Sequence, residues 1–258
     1  MAAAGACFYG RVALVTGGAS GIGQAVCNTL AADGATVVVA DKRLEAARKV
    51  ALSLPGDAKH QAMFVDVAES VSVEQLFNSI RSAFSEPLSI VVHCAGILRV
   101  APLCECTDEL FDDVIRVNLR GTFLVNRAAG RDMLRSGTSL PKGRAAIVNI
   151  SSIGAKRCPS TSPAYSAAKS GVIALTKSAA SELAEHGIRC NAVLPGWVDT
   201  PLMADADARF KAEAISNTPL KRTAQPWEIA EAIKFLCSPA ASSFITGATL
   251  EVTGGFYA

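Results

Sequence analysis

The sequence predicts an α/β fold built on one doubly wound parallel sheet with helices on both faces. Three observations lead there. Short apolar runs alternate with helix-length runs from one end of the chain to the other. The short runs, such as Val37-Val-Val-Ala40, are apolar at successive positions, as in strands buried on both faces. Glycine or proline falls where one kind of run gives way to the next, at Gly34, Pro55-Gly56 and Gly187. Buried strands separated by helices pair in parallel, with each helix crossing over the sheet.

The elements follow in order. Val12–Val15 is the first strand, and Ile22–Asp33 a helix closed by Gly34. Thr36–Ala40 is a valine-rich strand, Leu44–Leu54 a helix, and Ala62–Val65 a short strand. Val73–Phe84 is helical and Ser89–His93 is the fourth strand. Leu110–Leu134 reads as one long helix, Ala146–Ile150 as a strand, and Ala164–Glu185 as a second long helix. Ile188–Leu194, the helix Trp227–Cys237 and the strand Thr249–Val252 complete the set. Two stretches break the rhythm: the polar loop Ser136–Arg144 and the long connection Thr200–Gln225. Loops of that length in a compact domain usually bind something. No repeat, low-complexity tract or linker divides the chain, so its 258 residues read as one domain.

Composition narrows the function classes. Half of the residues are hydrophobic and 19% are charged, the profile of a globular chain. A net charge of +2 gives no long-range field that would gather nucleic acid or a membrane surface. No run approaches the roughly 18 apolar residues that a membrane span needs. The leader Met1–Gly10 carries no charged side chain, which fits neither a secretory signal nor an Arg-rich transit peptide. The eight cysteines lack the paired spacing of zinc sites and read as reduced, apolar-like residues; no metal is expected.

Glycines at 17, 21 and 23 follow the first strand and open the first helix. A pyrophosphate must approach backbone N–H groups at a helix N-terminus, where a Cβ would block it. Gly17, Ser20, Gly21, Ile22 and Gly23 are therefore candidate dinucleotide-binding residues. Asp41 lies eighteen positions past Gly23, where a carboxylate can bind a ribose 2′-hydroxyl and repel a 2′-phosphate. That favours NAD over NADP, although Lys42 and Arg43 follow and a basic side chain there can meet a phosphate. Asp66-Val67 and Ala95-Gly96 stand at the ends of the third and fourth strands, where such sheets bind ligands. The cofactor half spans about 10–150 and the catalytic half about 151–258.

Tyr165 and Lys169 lie four apart on one helix, hence on one face. An ammonium beside a tyrosine stabilises phenolate and lowers its pKa. Tyr165 could then pass a proton to or from a carbonyl oxygen, with a hydroxyl from Ser151 or Ser152 polarising that oxygen.

These motifs together resemble the short-chain dehydrogenase/reductase family over essentially the whole chain. The matching segments are TGGASGIG at 16–23, Asp66, CAG at 94–96, VNL around Asn118, ISS at 150–152, YSAAK at 165–169 and PGWVDT at 195–200. The resemblance implies a Rossmann fold and a catalytic tetrad of Asn118, Ser152, Tyr165 and Lys169. Ser152 is the member because the family's serine stands thirteen residues before the tyrosine. Ser152 and Tyr165 would meet the substrate, and Asn118 would hold a water linking Lys169 to solvent. Tyr165 and Lys169 would also contact the cofactor, and Val198 and Thr200 its carboxamide. One segment departs: the family usually has Asn-Asn-Ala-Gly where this chain has His93-Cys94-Ala95-Gly96.

GIRCNAVLPGW and the closing FITGATLEVTGGF are most similar to the 3-oxoacyl-[acyl-carrier-protein] reductase branch, whose animal form is also called an estradiol 17β-dehydrogenase. That resemblance implies an NAD-dependent enzyme of the mitochondrial matrix, with the cytoplasm as the alternative. It implies 3-oxoacyl or 3-hydroxyacyl thioesters, and 17-hydroxysteroids, as substrates. It also implies a tetramer, of identical chains or mixed with a related reductase subunit, with Phe256-Tyr257-Ala258 at one interface. Lys142, Arg144 and His186 are candidates for steering a carrier protein, with a solvated loop and helix end as the preferred alternative. Met203, Phe210 and Leu220 in the 200–225 connection favour an apolar substrate. Another carbonyl or polyol, or a non-catalytic NAD-binding scaffold, are the alternatives.

Overall fold

Seven strands make one parallel sheet: β1 Val12–Thr16, β2 Thr36–Asp41, β3 Gln61–Phe64, β4 Leu88–His93, β5 Ala145–Ile150, β6 Ile188–Pro195 and β7 Thr249–Val252. Their order is β3-β2-β1-β4-β5-β6-β7, and every neighbouring pair is parallel. The computed structural model describes residues 7–135, 145–204 and 208–256. The loop Ser136–Arg144, with Lys142 and Arg144, lies outside the described residues, as do Tyr257, Ala258 and the Phe210 side chain.

Alternation along each strand sends side chains to two separate cores. Ala13, Val15, Val37 and Val39 face α1 (Gly21–Ala32), α2 (Leu44–Ser53) and α9 (Pro226–Cys237), where Leu30, Val50 and Ile233 meet them. Val12, Leu14, Val38 and Ala40 face α3 (Ser70–Ala83), α5 (Gly121–Met133) and α7 (Pro163–Leu183), through Leu76, Leu124 and Ala180. Burial on both faces is why the strands carry no polar alternation. The chain winds from β1 outward through β2 to β3, then restarts on the other side at β4. The reversal places a crevice at the C-terminal ends of β1 and β4.

The expected long helix Leu110–Leu134 forms as a continuous helical run, α4 (Asp108–Val114), a π segment Ile115–Arg120, and α5. In the π segment Asn118 turns inward and binds both main-chain groups of Ile97, accepting from N–H at 2.9 Å and donating to C=O at 2.8 Å. The 200–225 connection is not bare loop. It contains a 3-10 turn Pro201–Met203 and helix α8, Ala208–Asn217. Short helices α6 (Gly154–Arg157) and α10 (Pro239–Ser242) and the 3-10 turns at Leu103–Glu105 and Ala184–His186 complete the described helices.

The stretch before β1 belongs to the core. Phe8 is wholly buried in the α1/α9 layer, its N–H donates to Asp33 C=O at 3.0 Å, and the Arg11 guanidinium lies 5.4 Å from its ring centroid. Phe8→Ala is expected to cost about 3–5 kcal/mol of unfolding free energy, measured by denaturant titration.

Candidate active site

β1 delivers Thr16 to the crevice, and the chain must then turn into α1 without side-chain bulk. Gly17 takes φ +66°, and a Cβ there would lie 2.7 Å from the Ala95 nitrogen. A Cβ on Gly23 would lie 2.1 Å from the Gly17 carbonyl oxygen. Neither position admits another residue. The N-terminus of α1 carries no side-chain cap on Ser20 and no acidic residue in its first turn. An uncapped helix start beside glycines attracts an anion. Ile22 sits partly buried against the core below.

Asp41 ends β2 with its carboxylate turned to this loop. One oxygen accepts Ala19 N–H at 3.2 Å, and the other accepts Arg43 N–H at 2.9 Å. Arg43 also donates to Ser20 Oγ at 2.8 Å, so Asp41, Arg43 and Ser20 form one rim. Asp66 accepts Ala68 N–H at 3.0 Å and faces Lys42 Nζ at 3.8 Å. The side chain of Val67 packs beneath Gly121 at the start of α5, and that of Val198 joins the α1/α9 core, so each turns its main chain to the crevice side. Thr200 stands across from Gly21, whose Cβ position is 3.3 Å from the Thr200 side chain. The cradle, the open helix end and the carboxylate rim fit a dinucleotide.

The predicted tetrad converges on Gly96 and Gly154. A Cβ on Gly96 would meet Asn118 Oδ1 at 2.7 Å and Lys169 Nζ at 3.5 Å. A Cβ on Gly154 would meet Ser152 Oγ at 3.3 Å and Tyr165 Cε1 at 3.6 Å. Ser152 Oγ accepts Gly154 N–H at 3.0 Å and stands on the Tyr165 side of the turn, where it acts to lower the Tyr165 pKa. Ser151 points away: its hydroxyl donates to Lys169 C=O at 2.8 Å and is buried there. Of the two serines, only Ser152 faces the tyrosine.

Burial raises the Tyr165 phenol above its ordinary value, and the Ser152 hydroxyl opposes this. Lys169 Nζ lies 5.7 Å from the Tyr165 ring centroid and donates to Ile150 C=O at 2.8 Å. Burial brings Lys169 itself down to about 8, with Cys94 acting in the opposite direction. Of the proposed substrate and docking residues, Leu220 is exposed and covers Gly254, and Met203 is half-buried. His186 pairs with Glu185 at 3.4 Å.

Sequence reasoning missed two features. His93 is buried beneath the crevice, with Nδ1 2.8 Å from Thr16 Oγ1. A buried amide pair, Asn126 with Asn149, exchanges hydrogen bonds of 2.8 and 3.0 Å and reaches Thr176 on α7 at 3.0 Å. The departure at His93 was the available signal for the first. The second had none, because its members are far apart in sequence.

A family model described as enoyl-(acyl carrier protein) reductase matches residues 17–257. The mouse (3R)-3-hydroxyacyl-CoA dehydrogenase is 41% identical over 254 residues, covering 95% of this chain and 96% of its own length. The chain belongs to the short-chain dehydrogenase/reductase family. It is also 44% identical over 257 residues to the cis-4-hydroxycyclohexanecarboxylate dehydrogenase of Sinomonas cyclohexanicum, covering 98% of this chain and 99% of that one. A solved short-chain dehydrogenase/reductase (glucose/ribitol dehydrogenase) from Brucella melitensis superposes with a TM-score of 0.88 at 32% identity, covering 97% and 98% of the two chains. The protein is accordingly an oxidoreductase interconverting a secondary alcohol and a ketone, and its family works with nicotinamide cofactors. Among the described residues, no helix is long and apolar enough to cross a membrane.

Lys169 makes the fold pH-sensitive in a stated direction. Its folded pKa of about 8 lies below the ordinary 10.5, so the native state sheds the proton first. The charged lysine therefore destabilises the fold below about pH 8, and stability rises as pH climbs through that value. Lys169→Met is expected to raise the melting temperature at pH 7, and that advantage is expected to shrink by pH 9. Thermal melts of both proteins at half-unit intervals over this range give the comparison.

Proposed function

We propose that the protein is an NAD(H)-dependent dehydrogenase that interconverts 3-hydroxyacyl and 3-oxoacyl thioesters. The placement of Ser152 and Tyr165 around Gly154, beside Lys169 at Gly96, carries the chemistry. The substrate oxygen would sit between the Ser152 and Tyr165 hydroxyls. In oxidation, Tyr165 as phenolate takes the hydroxyl proton, and the hydride leaves the carbinol carbon. In reduction, Tyr165 returns a proton to the carbonyl oxygen. A bound nicotinamide supplies or accepts that hydride. Lys169, when charged, favours the phenolate, and Ser152 holds the oxygen in line. Asn118 holds the Ile97 backbone that borders this pocket, and we place it as the relay member of the tetrad.

The thioester substrate draws its support from the (3R)-3-hydroxyacyl-CoA dehydrogenase relatives. The similarity to the Sinomonas dehydrogenase supports a second reading, in which the substrate is another small secondary alcohol. A scaffold without activity is disfavoured by the complete Ser152–Tyr165–Lys169 arrangement.

Purified protein is expected to reduce acetoacetyl-CoA with NADH, and Tyr165→Phe to lose about 10²–10⁴ of kcat/KM with the fold intact. A parent rate no higher than that of Tyr165→Phe, beside turnover of cyclic alcohols, would select the second reading. The Asp41 carboxylate on the glycine loop favours NAD. Asp41→Ala is expected to reduce the NADH:NADPH preference by about tenfold, as the loss of one charge contact would; paired kinetic runs with the two dinucleotides measure it.

A further inference from the structure

His93 stands where the family's pattern has asparagine, and its surroundings give the imidazole a definite state. It ends β4, 1% exposed, in register between Thr16 of β1 and Asn149 of β5. Its Nδ1 is 2.8 Å from Thr16 Oγ1. The same hydroxyl oxygen accepts the Ala95 N–H at 3.5 Å. Thr16 Oγ1 has two lone pairs and one hydrogen, so it keeps this bond to Nδ1 while accepting from Ala95. The other ring nitrogen, Nε2, has no hydrogen-bond partner among the described residues. Burial, reinforced by the nearby Lys169, depresses the imidazole to about 3 and keeps it neutral.

Thr16 is the residue immediately before Gly17, and Gly17 touches Ala95 across the crevice. The bond from Thr16 to His93 thus ties the glycine turn of β1 to the strand that carries Ala95-Gly96. Those are the two walls that a dinucleotide must bridge. On the reading that this crevice binds a nicotinamide dinucleotide, we infer that His93 is a positioning residue for it. The bond between the imidazole and Thr16 sets the gap between the glycine turn and Ala95-Gly96, and through that gap the cofactor affinity. An asparagine amide can bond the same hydroxyl; an aliphatic side chain cannot.

The test is a binding measurement on the full chain, separate from turnover. NADH and NADPH are titrated by the change in their own fluorescence against parent, His93→Asn, His93→Leu, Thr16→Val and the Thr16→Val/His93→Leu double variant, with melting temperatures recorded alongside. His93→Leu and Thr16→Val are each expected to weaken the preferred dinucleotide about tenfold, the scale of one buried hydrogen bond. The double variant is expected to be no weaker than either single, because all three lack the same bond. His93→Asn is expected to bind within about threefold of parent, since its amide keeps a hydrogen-bonding partner for Thr16. Parent-like affinity in folded His93→Leu and Thr16→Val overturns the inference. So do additive losses in the double variant, or lower melting temperatures with unchanged affinities. Should His93→Leu fail to fold, Thr16→Val against His93→Asn decides by the same criterion. A parent that binds neither dinucleotide overturns the dinucleotide reading, and the role of His93 with it.

Discussion

Everything at this site depends on how closely two strand ends approach. β1 and β4 are neighbours in the sheet, and their C-terminal ends meet so tightly that Gly17 has no room for a methyl group beside the Ala95 backbone. The contact fixes three things at once. It turns the chain from β1 into α1 with the helix N-terminus aimed over the crevice. It brings Ala95-Gly96 to the same crevice, and Gly96 in turn leaves space for Asn118 and Lys169. It also makes Thr16 the hinge between the two strands, bonded to His93 and reached by Ala95. A side chain at Gly17 would have to displace backbone, for which the packed sheet has no slack, and one at Gly96 would displace the Asn118 amide.

The second half of the site is held by buried polar groups. Lys169 is almost fully buried with its ammonium on the Ile150 carbonyl, and Ser151 binds the Lys169 main chain in return. β5 and α7 are thereby locked together with Ser152 and Tyr165 on the same side. The Asn126–Asn149 pair adds α5 to the lock, and Thr122 continues the chain to the Asn118 carbonyl at 2.6 Å. Buried networks of this kind are costly when incomplete and rigid when satisfied. Here the lysine keeps a charge in a place that burial opposes, so the fold gives up stability where the chemistry needs a cation.

Partial burial at the start of α7 pushes Tyr165 toward its neutral form, and Lys169 turns its ammonium onto the Ile150 carbonyl. Spacing of four residues places two side chains on one helix face. Which way the ammonium points is decided by the carbonyl it finds.

The seven strands and most helices were legible in the chain because buried parallel strands and amphipathic helices leave periodic traces. The glycine turn was legible for a different reason: a backbone position that excludes a Cβ must be glycine in the sequence. Asp41, Ser152, Tyr165 and Lys169 were legible as residue types at fixed offsets. The π segment around Asn118 and the helix α8 within the 200–225 connection were not. Asn118 finds its partner in Ile97, distant in the chain. His93 lies between the two cases. Its identity showed the sequence departing from its family, but its bond to Thr16 exists only because β4 lies beside β1. Local patterns are imposed by a residue's own backbone and are written in the chain; partners across the sheet are chosen by packing, and only the folded structure names them.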